Sequence, residues 1–514
     1  MAVYLTQSLH RALQQQPDSI ATVYRGRVRT TADSVERIAR FAGALRDIGV
    51  GRGERVGILA QNSDYYHEYL FAVPWVGGVL NPVNTRWSPA EIAFSLSDSD
   101  TRILLVDDAL AHLVPALRAE FHGLRTVILA GDGQLPESAL RYDDLVASTG
   151  PIEDTRTGGD ALLGIFYTGG TTGQPRGVML SHRNVLTSAL GALASGYFAT
   201  GAGRVLHVAP MFHLADIALW IMGNLTGSTH VFLPNFTVST VLNTFVQQQI
   251  TTAMLVPTMI EMLADDPGAT RLGLGGVRHL IYGASPIAEP TLQRARKIFP
   301  NAAFTQAYGM TELSPIATLL SPTDHDVPML LRAAGRAAPH TEVRIVDADD
   351  VEVPRGAVGE VIVRGENVMQ GYWNNADATA EALRNGWMHT GDAGYMDGDG
   401  YVFIVDRIKD MIITGGENVY SAEVENALAK HPAVKACAVI GVPDPQWGER
   451  VHAVVVLEPT QRVTTEELRE HCKKLIAGYK VPRSAEFVDA LPLSATGKVL
   501  KVALRERCSQ DGNQ

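Results

Sequence analysis

Residues 165–182 read IFYTGGTTGQPRGVMLSH, with Gly169, Gly170, Gly173 and Gly177 set among the hydroxyls of Thr168, Thr171 and Thr172 and followed by Arg176. Glycine loses the most conformational freedom on folding, so ordering such a loop is costly. Its chemistry suits an anion: bare backbone N–H groups approach closely, threonine hydroxyls add donors and a guanidinium adds charge. A plain surface turn would not need so many hydroxyls and glycines together. The phosphate loop of nucleotide hydrolases is a poor match, because no Gly-Lys-Ser/Thr follows and the strand-like GVML stands where a helix should open.

Three other stretches carry groups of the same kind. AYGMTELSP (307–315) sets Tyr308, Thr311 and Glu312 on a turn after an apolar run. HTGDAGYMDGDGYVFIVDRIKDMIITGGENVYSAEVE (389–425) contains Asp392, Arg407, Lys409 and the pair Gly415–Gly416. PLSATGKVLK (492–501) puts Lys498 beside a turn glycine. Singly, each has an ordinary explanation: a capping glutamate, a core tyrosine, a turn aspartate, a solvated lysine.

The elements that must position these groups alternate along the chain. Up to residue 150, helical periods such as ADSVERIARFAGALRDIGV alternate with short apolar runs (RVGILA, TRILLVDD, LRTVILA), which predicts α/β architecture with a largely parallel sheet. The polar GPIEDTRTGGD (150–160) reads as a connector, after which strand-like runs recur at LLGIFYT, RVLHVAP, RHLIYGAS and AAFTQAYG. Between 341 and 405 the pattern changes to hairpins, and beyond DRIKD a last α+β alternation is long enough for a separate lobe. The expected organisation is a large multi-subdomain α/β domain with a small β-rich unit over residues 1–406, followed by a smaller α+β lobe over 407–514.

Composition narrows the class. A chain of 514 residues with 46% hydrophobic side chains can bury ample core, and a net charge of −11 without basic runs argues against nucleic acid as the main partner. Residues 184–203 and 217–239 lack Lys, Arg, Asp and Glu but are rich in Gly, Ser, Thr and Asn, which predicts buried core and no transmembrane segment. The N-terminus has polar interruptions unlike a signal peptide. Three cysteines without metal or redox spacing suit a reducing compartment, so a cytoplasmic setting is expected.

Taken together and in this order, the four motifs resemble the adenylate-forming superfamily of acyl-CoA synthetases, carrier-protein adenylation domains and luciferases. The resemblance runs from about residue 20 to about residue 505 and implies a two-step reaction. A carboxylate attacks the α-phosphate of ATP to give an acyl-adenylate and pyrophosphate, and a thiol then displaces AMP. It assigns Thr168, Gly169, Gly170, Thr171, Thr172, Gly173 and Arg176 to the β- and γ-phosphates. Gly169 stands where the family most often has Ser, and Arg176 where it most often has Lys; arginine keeps the charge and adds a fork that suits phosphate.

The same resemblance makes Lys498 the lysine that bridges carboxylate and α-phosphate, and Glu312 the Mg²⁺-associated carboxylate. Thr311 would touch the α-phosphate and Tyr308 would offer a face to adenine, within a segment that includes Ala307, Gly309 and Met310. YGASP (282–286), with Gly283, Ala284 and Ser285, would line the adenine and acyl pockets. Asp392 would take the ribose hydroxyls with help from Arg407. Lys409 falls at the family's hinge, about which the small lobe would swing to bring Gly415 and Gly416 to the thiol tunnel.

His213, in APMFHLAD, replaces the aspartate with which amino-acid-activating relatives hold an α-amino group, so a catalytic-pocket role on a fatty-acyl or aryl acid is implied. Trp220, Met211 and residues 307–316 would help line an apolar pocket. Asp216 departs from the usual small or apolar residue; it either faces that pocket or caps its helix. The implied partners are a small carboxylic acid, ATP and coenzyme A, with assembly of like chains left open. Two alternatives stand beside the CoA ligase: an acyl-AMP ligase that loads a carrier protein, and a nucleotide-binding protein without catalysis.

Overall fold

The computed structural model describes residues 3–169, 175–199, 201–283, 287–414, 417–459, 461–493 and 499–511. Gly170, Thr171, Thr172, Gly173, Ala284, Ser285, Gly415, Gly416 and Lys498 lie outside the described residues. The chain packs as two units: residues 1–343, 363–389 and 400–402 form the first, and 344–362, 390–399 and 403–514 the second.

Two large sheets build the first unit. One has eight strands, in the order Gly371–Tyr372, Arg176–Ser181, Leu162–Thr168, Val79–Pro82, Arg55–Leu59, Ile103–Asp107, Thr126–Ala130 and Leu140–Arg141. Its inner strands (RVGIL, ILLVD, TVILA) are near-continuous apolar runs, as parallel strands covered on both faces must be. The other sheet has nine strands and a central parallel set made by Arg204–His207, Thr252–Leu255, His279–Gly283 and Ala303–Tyr308. The expected α/β alternation is therefore present, but it is shared between two sheets.

One departure is instructive. The hairpin Ile20–Tyr24/Arg27–Thr30 lies in the early α/β region yet joins the nine-stranded sheet, with Thr22 beside His230 and Val23 beside Val231. The helix that follows it, Thr31–Asp47, starts at a capping box: Thr30 Oγ1 accepts from Asp33 N, and Asp33 Oδ2 accepts from Thr30 N. Helix His182–Ala194 takes up the first half of one charge-poor stretch and helix Leu214–Thr226 the first part of the other. Both are core helices, and among the described residues no helix is long and apolar enough to cross a membrane.

In the second unit the long antiparallel pair Val434–Asp444/Gly448–Leu457 carries the sheet, with Ser484–Phe487 added parallel to Gly448–Leu457. Helices Ser421–Leu428, Thr465–Lys473 and Lys501–Asp511 complete this α+β lobe.

Burial of polar groups leaves a measurable trace. His182, which accepts a hydrogen bond from Leu5 N, is held near pKa 4 by burial, and His67 near 3 for the same reason. Both are neutral when folded but protonate on unfolding below their ordinary 6.5. The unfolded state then binds more protons, so stability falls as pH falls from about 6.5 toward the folded values. Each histidine should cost about 2 kcal/mol between pH 6.5 and 5. Chemical unfolding at several pH values is expected to show this slope, flattened by about 1.4 kcal/mol per pH unit in His182→Gln.

Candidate active site

Strands Leu162–Thr168 and Arg176–Ser181 pair antiparallel, with Thr168 directly opposite Arg176. The strand-like GVML thus lies in the second strand of this antiparallel pair. A Cβ built on Gly169 would meet nothing within 4 Å, so the missing serine is not a steric requirement. Arg176 places its guanidinium 5.6 Å from the centre of the Tyr372 ring. The Tyr372 hydroxyl in turn donates to Glu312 Oε1 at 2.8 Å. Burial, and then the neighbouring Glu312 charge, push the phenol pKa well up, so Tyr372 keeps its proton and is the donor.

Tyr372 was not among the residues expected from sequence. The strand Gly371–Tyr372 joins the edge of the hairpin, pairing with Val178 and Met179. Gly371 sits at φ +141° beside the Thr379 side chain, a setting that disfavours other residues. Met369 N donates to the Glu312 carbonyl at 2.9 Å. Buried Asn367 donates to the carbonyls of Leu313 and Ile316 at 2.8 and 3.2 Å. Segment 366–373 therefore fixes both the hairpin and the Glu312 turn. The GYW triplet inside it was the available signal.

Glu312 belongs to the short helix Thr311–Leu313 that follows strand Ala303–Tyr308, and it is buried. Gly283 and Ala307 are register partners at the C-terminal ends of adjacent parallel strands. There is no room for a Cβ at Gly283, which would fall 2.5 Å from the Ala307 carbonyl; at Gly309 it would run into the Pro315 carbonyl. Gly283, Ala307, Tyr308, Gly309, Met310, Thr311 and Glu312 thus gather at one sheet edge, the customary binding edge of α/β sheets.

His213 follows strand Arg204–His207 at that same edge, as the half-buried N-cap of Leu214–Thr226. Asn62 clamps the approach, donating to the Ala209 carbonyl and accepting from Met211 N, both at 2.8 Å. Met211 and Trp220 have no accessible surface, so they back the site from within the core.

Asp216 is neither pocket-facing nor a helix cap. It is fully buried, with Oδ2 2.8 Å from His207 Nδ1, and His207 Nε2 lies 2.9 Å from His230 Nδ1. Trp220 Nε1 donates to His67 Nδ1 at 3.0 Å beside this chain. Removal from water raises the Asp216 pKa, while His207 opposes the shift.

The second unit carries its own group of expected residues. Asp392, in strand Trp387–Met396, forms a 2.6 Å ion pair through Oδ1 with Arg407 Nε. Arg407 Nη1 also donates to the Thr390 carbonyl at 3.1 Å, and Asp392 N donates to Thr390 Oγ1 at 3.1 Å. This scaffold leaves the carboxylate mostly enclosed and aimed by its cation. Lys409 lies exposed in the short helix Ile408–Asp410. Its neighbour Asp410 accepts from Arg505 at 2.7 Å.

Comparison with known proteins identifies the family. The family model described as AMP-binding enzyme matches residues 9–373, and its C-terminal domain model matches 423–498. A feruloyl-CoA synthase from an Amycolatopsis species is 39% identical over 97% of both chains. The fatty acid–[acyl-carrier-protein] ligase ScoC of Streptomyces coeruleorubidus is 37% identical over 98% of this chain and 95% of its own. The ATP-bound structure of MatB from Rhodopseudomonas palustris superposes with a TM-score of 0.89 at 30% identity over 99% of both chains.

Two substitutions test the geometry. Tyr372→Phe should lower kcat/KM for ATP about tenfold, the worth of a hydrogen bond to a charged group, while the melting temperature stays within a few degrees. Gly169→Ser should lower the KM for ATP about fivefold, matching about 1 kcal/mol for one added hydroxyl contact. Pyrophosphate release reads both.

The order of these elements, the gathering of Glu312 with the hairpin, and the matched models lead to one assignment: this chain belongs to the AMP-binding enzyme family, as a ligase akin to the acyl-CoA synthetases.

Proposed function

We propose that the protein is an ATP-dependent carboxylic acid–CoA ligase that works through an acyl-adenylate and acts on an aryl acid or a medium- to long-chain fatty acid. The single observation that carries the reading is the Arg176–Tyr372–Glu312 assembly, which sets a guanidinium and a buried carboxylate beside the paired strands that carry Thr168 and Arg176. Two anions must meet in the first step, so fixed positive charge and oriented N–H donors are the main requirement. Arg176 and the hairpin hold the β- and γ-phosphates as they become the leaving group. Glu312 fits Mg²⁺ by its chemistry, a carboxylate held in place by Tyr372 and suited to a hard cation. When bound, the ion neutralises phosphate charge.

Asp392 takes the ribose hydroxyls, with its ion pair to Arg407 holding it in place. Lys498 brings the acid's carboxylate to the α-phosphate, and Lys409 lies at the hinge between adenylation and thiol transfer. His213 cannot pair with an α-ammonium group as aspartate would, so amino acids are disfavoured. With Asp216 engaged by His207 inside the core, the acid body meets an apolar environment, which accords with an acid such as that named for the feruloyl relative. The carrier-protein reading keeps one specific support, the name of the ScoC relative.

Lys498→Ala is expected to lose adenylate formation by at least a hundredfold while retaining thioester formation from supplied acyl-adenylate. Equal loss of both half-reactions would reject the assignment. On the wild type, kcat/KM for a hydroxycinnamate or octanoate should exceed that for acetate by orders of magnitude, since each buried methylene contributes about 0.8 kcal/mol. CoA should be the better acceptor than a phosphopantetheinylated carrier; the reverse order would select the carrier reading.

A further inference from the structure

Away from every residue assigned above, the terminal lobe brings together three side chains of a different chemical kind. His452 lies in strand Gly448–Leu457, Glu486 in strand Ser484–Phe487 and Cys508 in helix Lys501–Asp511. The two strands are parallel neighbours with His452 opposite Ser484 and Val454 opposite Glu486, so His452 and Glu486 share one face of the sheet. The helix packs on that face through Leu504, and Cys508 follows one helical turn later. One potential ligand atom from each of His452, Glu486 and Cys508 lies within 4.8 Å of the other two.

The histidine is prepared for such a role. Its ring is nine-tenths buried, and Nδ1 is 2.8 Å from Ser484 Oγ, which also accepts from Arg450 Nε. Nε2 is buried and has no hydrogen-bond partner among the described residues. A ring nitrogen anchored on one side and bare on the other is the usual state of a metal-binding imidazole. Burial also holds the ring below its ordinary pKa, which keeps that lone pair available near neutral pH. Glu486 is engaged by Arg507 at 3.0 Å. A carboxylate has about four lone-pair positions, so the guanidinium can orient it while one oxygen is shared.

We infer that His452, Glu486 and Cys508 form a three-ligand site for a zinc-type divalent cation, tying the terminal helix to the sheet. Imidazole, thiolate and carboxylate are a characteristic zinc set, with the fourth position left to water. Binding replaces the Cys508 S–H bond with a metal–sulfur bond and releases that proton to solvent.

The test uses the full chain without a histidine tag and without ATP. Co²⁺ titration should give a thiolate-to-cobalt charge-transfer band in the near ultraviolet, saturating at one ion per chain. Calorimetry with Zn²⁺ should give the same stoichiometry, with a melting temperature that rises on addition of Zn²⁺. Cys508→Ser should abolish the band, and His452→Gln and Glu486→Gln should each weaken Zn²⁺ binding at least tenfold. Metal-free melting of the variants checks that they fold, and Glu486→Gln serves where a core change perturbs folding. Absence of a thiolate band in the wild type overturns the site, as does Zn²⁺ binding to Cys508→Ser at wild-type affinity.

Discussion

A single hydroxyl-to-carboxylate bond, Tyr372 to Glu312, joins the two large sheets at the place where the chemistry is expected. Tyr372 belongs to the edge of the eight-stranded sheet, while Glu312 follows a central strand of the nine-stranded one. This contact and the Asn367 and Met369 bonds around it bring the arginine of the hairpin and the carboxylate of the turn together. Catalytic groups carried on separate elements gain their worth from such fixed geometry.

The enclosed polar chain of Asp216, His207 and His230 illustrates a different constraint. A lone carboxylate in this core would be very costly, whereas a paired and hydrogen-bonded one is tolerated. The arrangement explains why an acidic residue can occupy a helix that is otherwise apolar. Its position in the sequence, one turn after His213, invited a reading as a pocket residue; the partner nine residues earlier lies on a strand, and only folding brings the two together.

Much of the fold was legible because parallel strands buried on both faces are written as continuous apolar runs, and the helices between them show a regular period. The glycine–threonine run, the Glu312 turn and the Asp392 strand were legible for another reason: close backbone approach and charge demand particular residue types locally. Tyr372 and Asn62 were not, since each acts through a partner far along the chain. The His452, Glu486 and Cys508 group was hidden in the same way, its members having no metal-like spacing. Assignment of strands to two sheets was likewise beyond local pattern, because the hairpin Ile20–Thr30 looks like any other strand pair.

That hairpin carries a consequence for how the protein is made. Its partner strand, Thr229–Phe232, is synthesised some two hundred residues later. At ribosomal rates of about 5–20 residues per second, Val23 must wait roughly 10–40 s for Val231 to be made. During that interval a ready-made strand edge stands open to other nascent chains, the situation in which edge-to-edge association begins. Arg25, Arg27 and Arg29 crowd the hairpin, and Arg27 and Arg29 later settle on the carboxylate of Asp64. Charges of this kind on a strand pair are the ordinary physical means of keeping an edge soluble until its neighbour arrives.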